Sequence, residues 1–415
     1  MKVSKISIKK YRSCKSTEFS PHRELTTLIG PNGSGKTNIL SAVKLLSSLL
    51  YVRRRARYKN EEGSLSTASE IKTWFDMDGK TIIHTAKINT VTNERNEDEV
   101  LSTEENWYMY QITGNRKKID IPLEALFDLT HYPRTVRNNR ASDRTKFLMQ
   151  YLSERGFDED AFSAMLAVVE FISSFSYYSA SQFTNPANCP ISFEVEAAGG
   201  TSLRRGISIR SHHKALLYDM YDEFKEKSKA YSEFISIVGP DGIGLIEGMD
   251  FNEIKTSSSN VSVLTGGRIK KQEKINLLIV PRFSISDNML SPSQLSEGTF
   301  KALALIFYLI TDKSTMLMIE EPEVCIHHGL LNSIIELINI YSDEKQIFIS
   351  THSDTVLDSI DIQSVFAVKR TFKDGTTVKN ISRSLKKNEM TALRNYLATE
   401  GSLGEYWKHG DLENV

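Results

Sequence analysis

The chain has 415 residues, 40% of them hydrophobic, with 52 Lys and Arg against 52 Asp and Glu, enough to bury one large core or two modest ones. Zero formal net charge excludes a globally cationic nucleic-acid binder, so nucleic-acid contact would rest on local basic patches. Three cysteines, Cys14, Cys189 and Cys325, lack CxxC pairing, which excludes a disulfide scaffold and a cysteine zinc site and fits a reducing compartment. No apolar run reaches the ~18 residues that span a bilayer, and the first 16 residues hold no signal-peptide core, so a cytoplasmic protein without membrane contact is expected.

Val3, Ile6 and Ile8 alternate with polar residues, Leu28 and Ile29 enter a glycine-rich turn, and Ile39, Leu40, Val43, Leu46 and Leu50 recur at helical spacing. The pattern is strand, loop, helix. From about 70 to 113, alternating segments around Asp-Gly and Asn-rich turns predict antiparallel strands. Residues 123–175 read as mainly helical, as does a segment from His213 to Ile237, followed by a GPDGIGL turn and short strands up to about Phe283. From Leu295 onward an apolar helix, the buried strand MLMIE, a helix and the buried strand QIFIS predict a parallel sheet covered on both faces. The sequence has no internal repeat and no sustained heptad pattern.

Gly30, Pro31, Asn32, Gly33, Ser34, Gly35, Lys36 and Thr37 satisfy GxxxxGKT between a predicted strand and a predicted helix. Glycines let backbone N–H groups converge on phosphates, Lys36 reaches the outer phosphates, and the Thr37 hydroxyl is a Mg²⁺ ligand. Glu320 and Glu321 emerge at the carboxyl end of MLMIE, where open parallel sheets bind ligands, with Glu320 suited to Mg²⁺ and Glu321 to deprotonating water. LSEGT places Ser296, Glu297 and Gly298 at a helix start, a cap that also offers N–H groups to an anion. His352 follows the second buried strand, in a position that by itself reads as a turn histidine.

Together GPNGSGKT, LSEGT, MLMIEEPE and STHS resemble, in order, the ABC-type P-loop ATPases of the RecF, SMC and OLD (overcoming lysogenization defect) group. The resemblance implies an α/β head over residues 1–415 with a mainly parallel sheet, an antiparallel β-subdomain and helical insertions. Its nucleotide-binding core would be 1–50 and 285–370, its β-subdomain 68–125, its helical and mixed insertion 126–284 and its C-terminal extension 371–415. It implies ATP and Mg²⁺ as cofactors, Lys36 and Thr37 in Walker A, Glu320 in Walker B, Glu321 as catalytic glutamate, Ser296 to Gly298 as a signature acting on the opposing subunit, and His352 as the switch. Arg12, after Tyr11, is implied near the nucleotide, and Gln182 as the Q-loop residue.

Three departures stand out: Glu297 and Thr299 replace residues of the transporter signature LSGGQ, Glu320 stands where aspartate is usual, and His328 stands where EPExxLHP has proline. Lys36 and Ser296 are 260 residues apart, too close for a long coiled-coil arm, and the 63 residues after His352 contain no DxD of a TOPRIM nuclease. The expected protein is a slow ATPase that forms a homodimer or higher oligomer around ATP and controls a separate effector, a nuclease or toxin, in anti-phage defence. A RecF-like repair ATPase, with DNA at Arg53, Arg54, Arg55 and Arg57 or at Arg134, Arg137, Arg140 and Arg144, and a non-hydrolysing scaffold remain as alternatives.

Overall fold

The computed structural model describes residues 1–52, 69–77, 79–92, 98–111, 116–119, 159–196, 211–263, 269–399 and 401–408. In chain order the elements begin with β1 (Lys2–Tyr11), β2 (Cys14–Phe19), β3 (Leu25–Ile29) and α1 (Lys36–Val52), then β4 (Ser69–Met77), β5 (Lys80–Thr92), β6 (Asp98–Gln111) and β7 (Arg116–Ile119). They continue through α2 (Glu159–Ser173), β8 (Ser176–Ser179), β9 (Phe193–Glu196), α3 (His212–Glu226), α4 (Lys229–Val238), β10 (Gly248–Val263), β11 (Ile269–Ile285) and β12 (Asn288–Leu290). Then come α5 (Glu297–Thr311), β13 (Met316–Glu320), α6 (His328–Ser342), β14 (Gln346–Thr351), β15 (Val365–Thr371), β16 (Gly375–Asn380) and α7 (Lys387–Thr399), with short unlabelled helices at Asp354–Asp358, Ile381–Ser384 and Leu403–Lys408. Contacts divide the chain into one unit of 1–177, 313–321 and 342–415, and another of 178–312 and 322–341.

The first unit holds an antiparallel sheet of order β2-β1-β4-β5-β6-β7 and a mixed sheet of order β16-β15-β3-β14-β13-β8. In the mixed sheet β15, β3, β14 and β13 run parallel, and β16 closes one edge antiparallel to β15. Parallel neighbours need crossovers, which here carry helices, and strands covered on both faces become buried throughout. All five residues of β3 and all six of β14 are buried accordingly. Leu40, Val43 and Leu46 of α1 share one core with Ile71, Phe75 and Trp107 of the antiparallel sheet, Phe171 of α2, and Met318 and Phe348 of the mixed sheet. Fully buried Gln346 ties β14 to the β1 end: its amide donates to the Val3 and His22 carbonyls at 3.0 and 2.8 Å, and its oxygen accepts from Val3 N at 2.9 Å.

In the second unit β9, β10, β11 and β12 form an antiparallel sheet dominated by the β10–β11 hairpin, paired without a break from Gly248↔Ser284 to Val263↔Ile269. Phe183, His213, Phe300 and Tyr308 pack as an aromatic cluster, with His213 stacked on Phe300 at 5.5 Å. Among the described residues no helix is long and apolar enough to cross a membrane.

The antiparallel sheet takes in β1 and β2 as well as β4 to β7, and the strand that leads into the glycine-rich loop is β3, of the mixed sheet. The short strands expected before Phe283 are instead strands of 16 and 17 residues, because pairing to each other supplies an order that their sparse apolar residues do not announce. Of the 123–175 stretch read as helical, 159–173 is a helix, and 121–158 lie outside the described residues.

Candidate functional site

β3 ends at Ile29 and α1 starts at Lys36, so residues 30–35 form a loop between a buried strand and a helix N-terminus. Gly33 and Gly35 take φ of +79° and +106°, a region open to glycine at little cost. A Cβ on Gly35 would lie 2.1 Å from Thr376 Oγ1, so this position tolerates no side chain. Thr376, on β16, lies 2.9 Å from the Ser34 carbonyl, to which it donates, and 2.7 Å from Ser13 Oγ. Asn38 donates to Ser13 Oγ at 2.6 Å, so the β1–β2 turn and the sheet edge together brace the loop. Lys36 is 6% exposed, and its ammonium donates to the Gly30 and Pro31 carbonyls at 2.7 and 3.3 Å. The Ser34 hydroxyl is buried with no hydrogen-bond partner among the described residues.

Across from the loop, Glu320 ends β13. Its Oε1 accepts a hydrogen bond from Thr37 Oγ1, and its Oε2 accepts one from the Tyr177 hydroxyl. Lys44 lies over the Tyr177 ring, 4.4 Å from its centroid. Glu321 adopts φ +48°, a left-handed conformation uncommon for a residue with a Cβ, and its N–H donates to the Ser350 carbonyl of β14 at 2.8 Å. This turn sets its carboxylate 3.8 Å from His352 Nδ1, with the two side chains 36% and 46% exposed. Strained backbone at the carboxyl end of a parallel strand, ending in a carboxylate beside an imidazole, is an arrangement able to take a proton from water.

In the second unit Ser296 caps α5: its Oγ accepts from Thr299 N at 3.1 Å. Glu297 pairs with the buried Lys301 at 2.7 Å, one helical turn on, and this hydrogen bond holds its carboxyl below the usual range despite desolvation. Cys325 donates to Glu297 Oε1 at 3.6 Å, and the Cys325 carbonyl would meet a Cβ on Gly298 at 2.5 Å. Gly298 is therefore required by the close passage of residue 325, whatever else its N–H does.

Within the first unit, then, Lys36, Thr37, Glu320, Glu321 and His352 stand at the carboxyl ends of adjacent strands β3, β13 and β14. Arg12 occupies the β1–β2 turn at φ +47°, exposed, over the Tyr11 ring at 5.5 Å, next to the Ser13 that braces the loop. Gln182 sits half-buried in a 3-10 turn, Ala180–Phe183, in the second unit. The arginines at 53–57 and 134–144 lie outside the described residues. Sequence reasoning missed Ser13, Thr376, Tyr177 and Lys44. The first two are joined across 363 residues, which no local pattern signals, whereas Lys44 stands seven residues after Thr37 on the same face of α1 and was findable by helical spacing.

The residues fit Mg-ATP. The orphaned Ser34 hydroxyl, the glycine cradle and a buried lysine whose ammonium lies on the Gly30 and Pro31 carbonyls suit an anionic phosphate chain. A hydroxyl and a carboxylate in mutual contact are hard oxygen donors of the number Mg²⁺ takes from protein when phosphates supply the rest.

The family described as "AAA domain, putative AbiEii toxin, Type IV TA system" matches residues 25–358. The Old nuclease of Escherichia phage P2 is 25% identical over 389 residues, covering 86% of this chain, and the DNA replication and repair protein RecF of Desulforamulus reducens is 42% identical over 43 residues, 10% of this chain. The chain spans 58% and 12% of the lengths of these two relatives. Among solved structures, the SMC head domain from Thermotoga maritima aligns at 13% identity and TM-score 0.43, over 92% of this chain and 99% of that one. The Smc head bound to the C-winged helix domain of ScpA aligns at 14% identity and TM-score 0.45, over 94% of this chain and 100% of that one.

Proposed function

Because this chain belongs to the AAA-domain family matched over residues 25–358, and with it to the ABC-type P-loop ATPases of the RecF, SMC and OLD group, we propose that it binds and hydrolyses ATP and that two copies close around the nucleotide to control a separate effector. The observation that carries the reading is the joining of Thr37, after the phosphate loop, to Glu320, with Glu321 turned toward His352 one residue later. Lys36 exchanges the Gly30 and Pro31 carbonyls for outer phosphate oxygens. Bound Mg²⁺ supplies charge neutralisation on the phosphates, with Thr37 and Glu320 as its protein ligands. Glu321 accepts the proton of the attacking water, and His352 orients that carboxylate.

The α5 N-terminus, with the Ser296 cap and the N–H groups of Glu297 and Gly298, is the surface proposed to meet the nucleotide of the opposing copy. The family description, which names a putative toxin of a Type IV toxin–antitoxin system, supports a role beside a partner protein. The test is calorimetry with Mg-ATP: wild type should bind, and Lys36→Ala should lose binding, because Lys36 is the side-chain cation of the loop. Retained micromolar affinity in Lys36→Ala would contradict the site. The short match to RecF favours a second reading, a dimer that grips DNA, and salt-dependent DNA binding that requires ATP would support it.

A further inference from the structure

We propose that Tyr177 is a positioning residue that holds the Glu320 carboxylate in register with Thr37, and so sets the affinity of the metal site; the proposal rests on the nucleotide reading above. Glu320 stands where aspartate is usual, and its additional methylene gives the carboxylate an extra torsion to be fixed. Both carboxylate oxygens are engaged. Thr37 donates to Oε1 and Tyr177 to Oε2, so rotation about the last bond breaks one contact or both.

Tyr177 is itself held. It lies on β8, which borders β13 in the sheet, and its ring lies under the Lys44 ammonium at 4.4 Å. Lys44 and Thr37 are seven residues apart on α1, on one face of the helix. One helix face therefore contacts both arms of the clamp: Thr37 meets the carboxylate directly, and Lys44 meets the residue that bonds its other oxygen. A phenol donating to a metal-binding carboxylate orients that ligand without touching the metal, and loss of such a partner typically weakens metal affinity about 10–100-fold.

The experiment uses Mn²⁺ as the probe, bound together with the non-hydrolysable analogue AMPPNP and followed by the loss of the free Mn²⁺ EPR signal. Tyr177→Phe keeps the ring under Lys44 and removes only the hydroxyl. It should weaken Mn²⁺ by about tenfold or more while metal-free AMPPNP affinity stays unchanged. In a Glu320→Asp background, where the shorter side chain no longer spans to the phenol, Tyr177→Phe should change Mn²⁺ affinity by less than a factor of about two. Wild-type Mn²⁺ affinity in Tyr177→Phe, or an equal loss in the Glu320→Asp background, overturns the proposal and leaves the nucleotide reading standing. Absence of AMPPNP binding by the wild-type protein overturns both.

Discussion

Glu321 shows how one backbone conformation places a carboxylate. Left-handed φ at a residue with a Cβ costs about 1–3 kcal/mol, and here the cost is offset by a neighbouring strand, through the hydrogen bond from Glu321 N–H to Ser350. The result is a carboxylate that leaves the strand direction and faces His352. Glu321→Gln preserves size and backbone but removes the proposed proton acceptor, so phosphate release should fall about 10²-fold or more while ATP binding is retained. A wild-type rate from Glu321→Gln in a steady-state phosphate assay would move the role of base elsewhere, with Glu320 next in line. The sequence showed the carboxylate at the strand end plainly. It did not show the left-handed turn, because Glu321 precedes Pro322 and nothing in its type favours positive φ.

Elements differed in how far their own residues announce them. β13 and β14 were legible because continuous apolar runs have few other homes, and α1 because its apolar spacing follows a phosphate-loop pattern. β3 was harder. Its Thr26 and Thr27 are fully buried, yet threonine does not read as core. β16 was read only as part of an extension, although its Thr376 braces the phosphate loop. Thr376→Val would leave the Ser34 carbonyl and Ser13 without that partner, and should cost about 1–3 kcal/mol in urea unfolding. Thr377→Val, one residue along the same strand, removes only a 3.4 Å contact to the Lys369 carbonyl and should cost less. Equal losses at the two positions would show that Thr376 does no more than fill space on the strand.

One chain holds two separate parts of the proposed site. The phosphate loop and the Glu320–Glu321 pair belong to one unit and the Ser296 cap to the other, and the proposal makes them complementary between copies. A charged side chain at Ser296 would set like charge against a phosphate and forfeit the cap, so Ser296→Glu should bind ATP nearly as wild type yet fail to hydrolyse it. Mixed with Lys36→Ala, it should regain at most one working site per dimer, from the intact loop of the first and the intact signature of the second. Full activity from monomeric Ser296→Glu would contradict a shared site.

The most direct measurement is light scattering, with and without Mg-ATP, on Glu321→Gln, the variant expected to bind ATP without consuming it. Closure around ATP should give twice the monomer mass of 47.0 kDa when Mg-ATP is present, and loss of that ATP-dependent gain when Ser296→Glu is added to the same chain. A mass of 47.0 kDa in saturating Mg-ATP, with nucleotide binding verified in the same sample, would contradict closure around ATP.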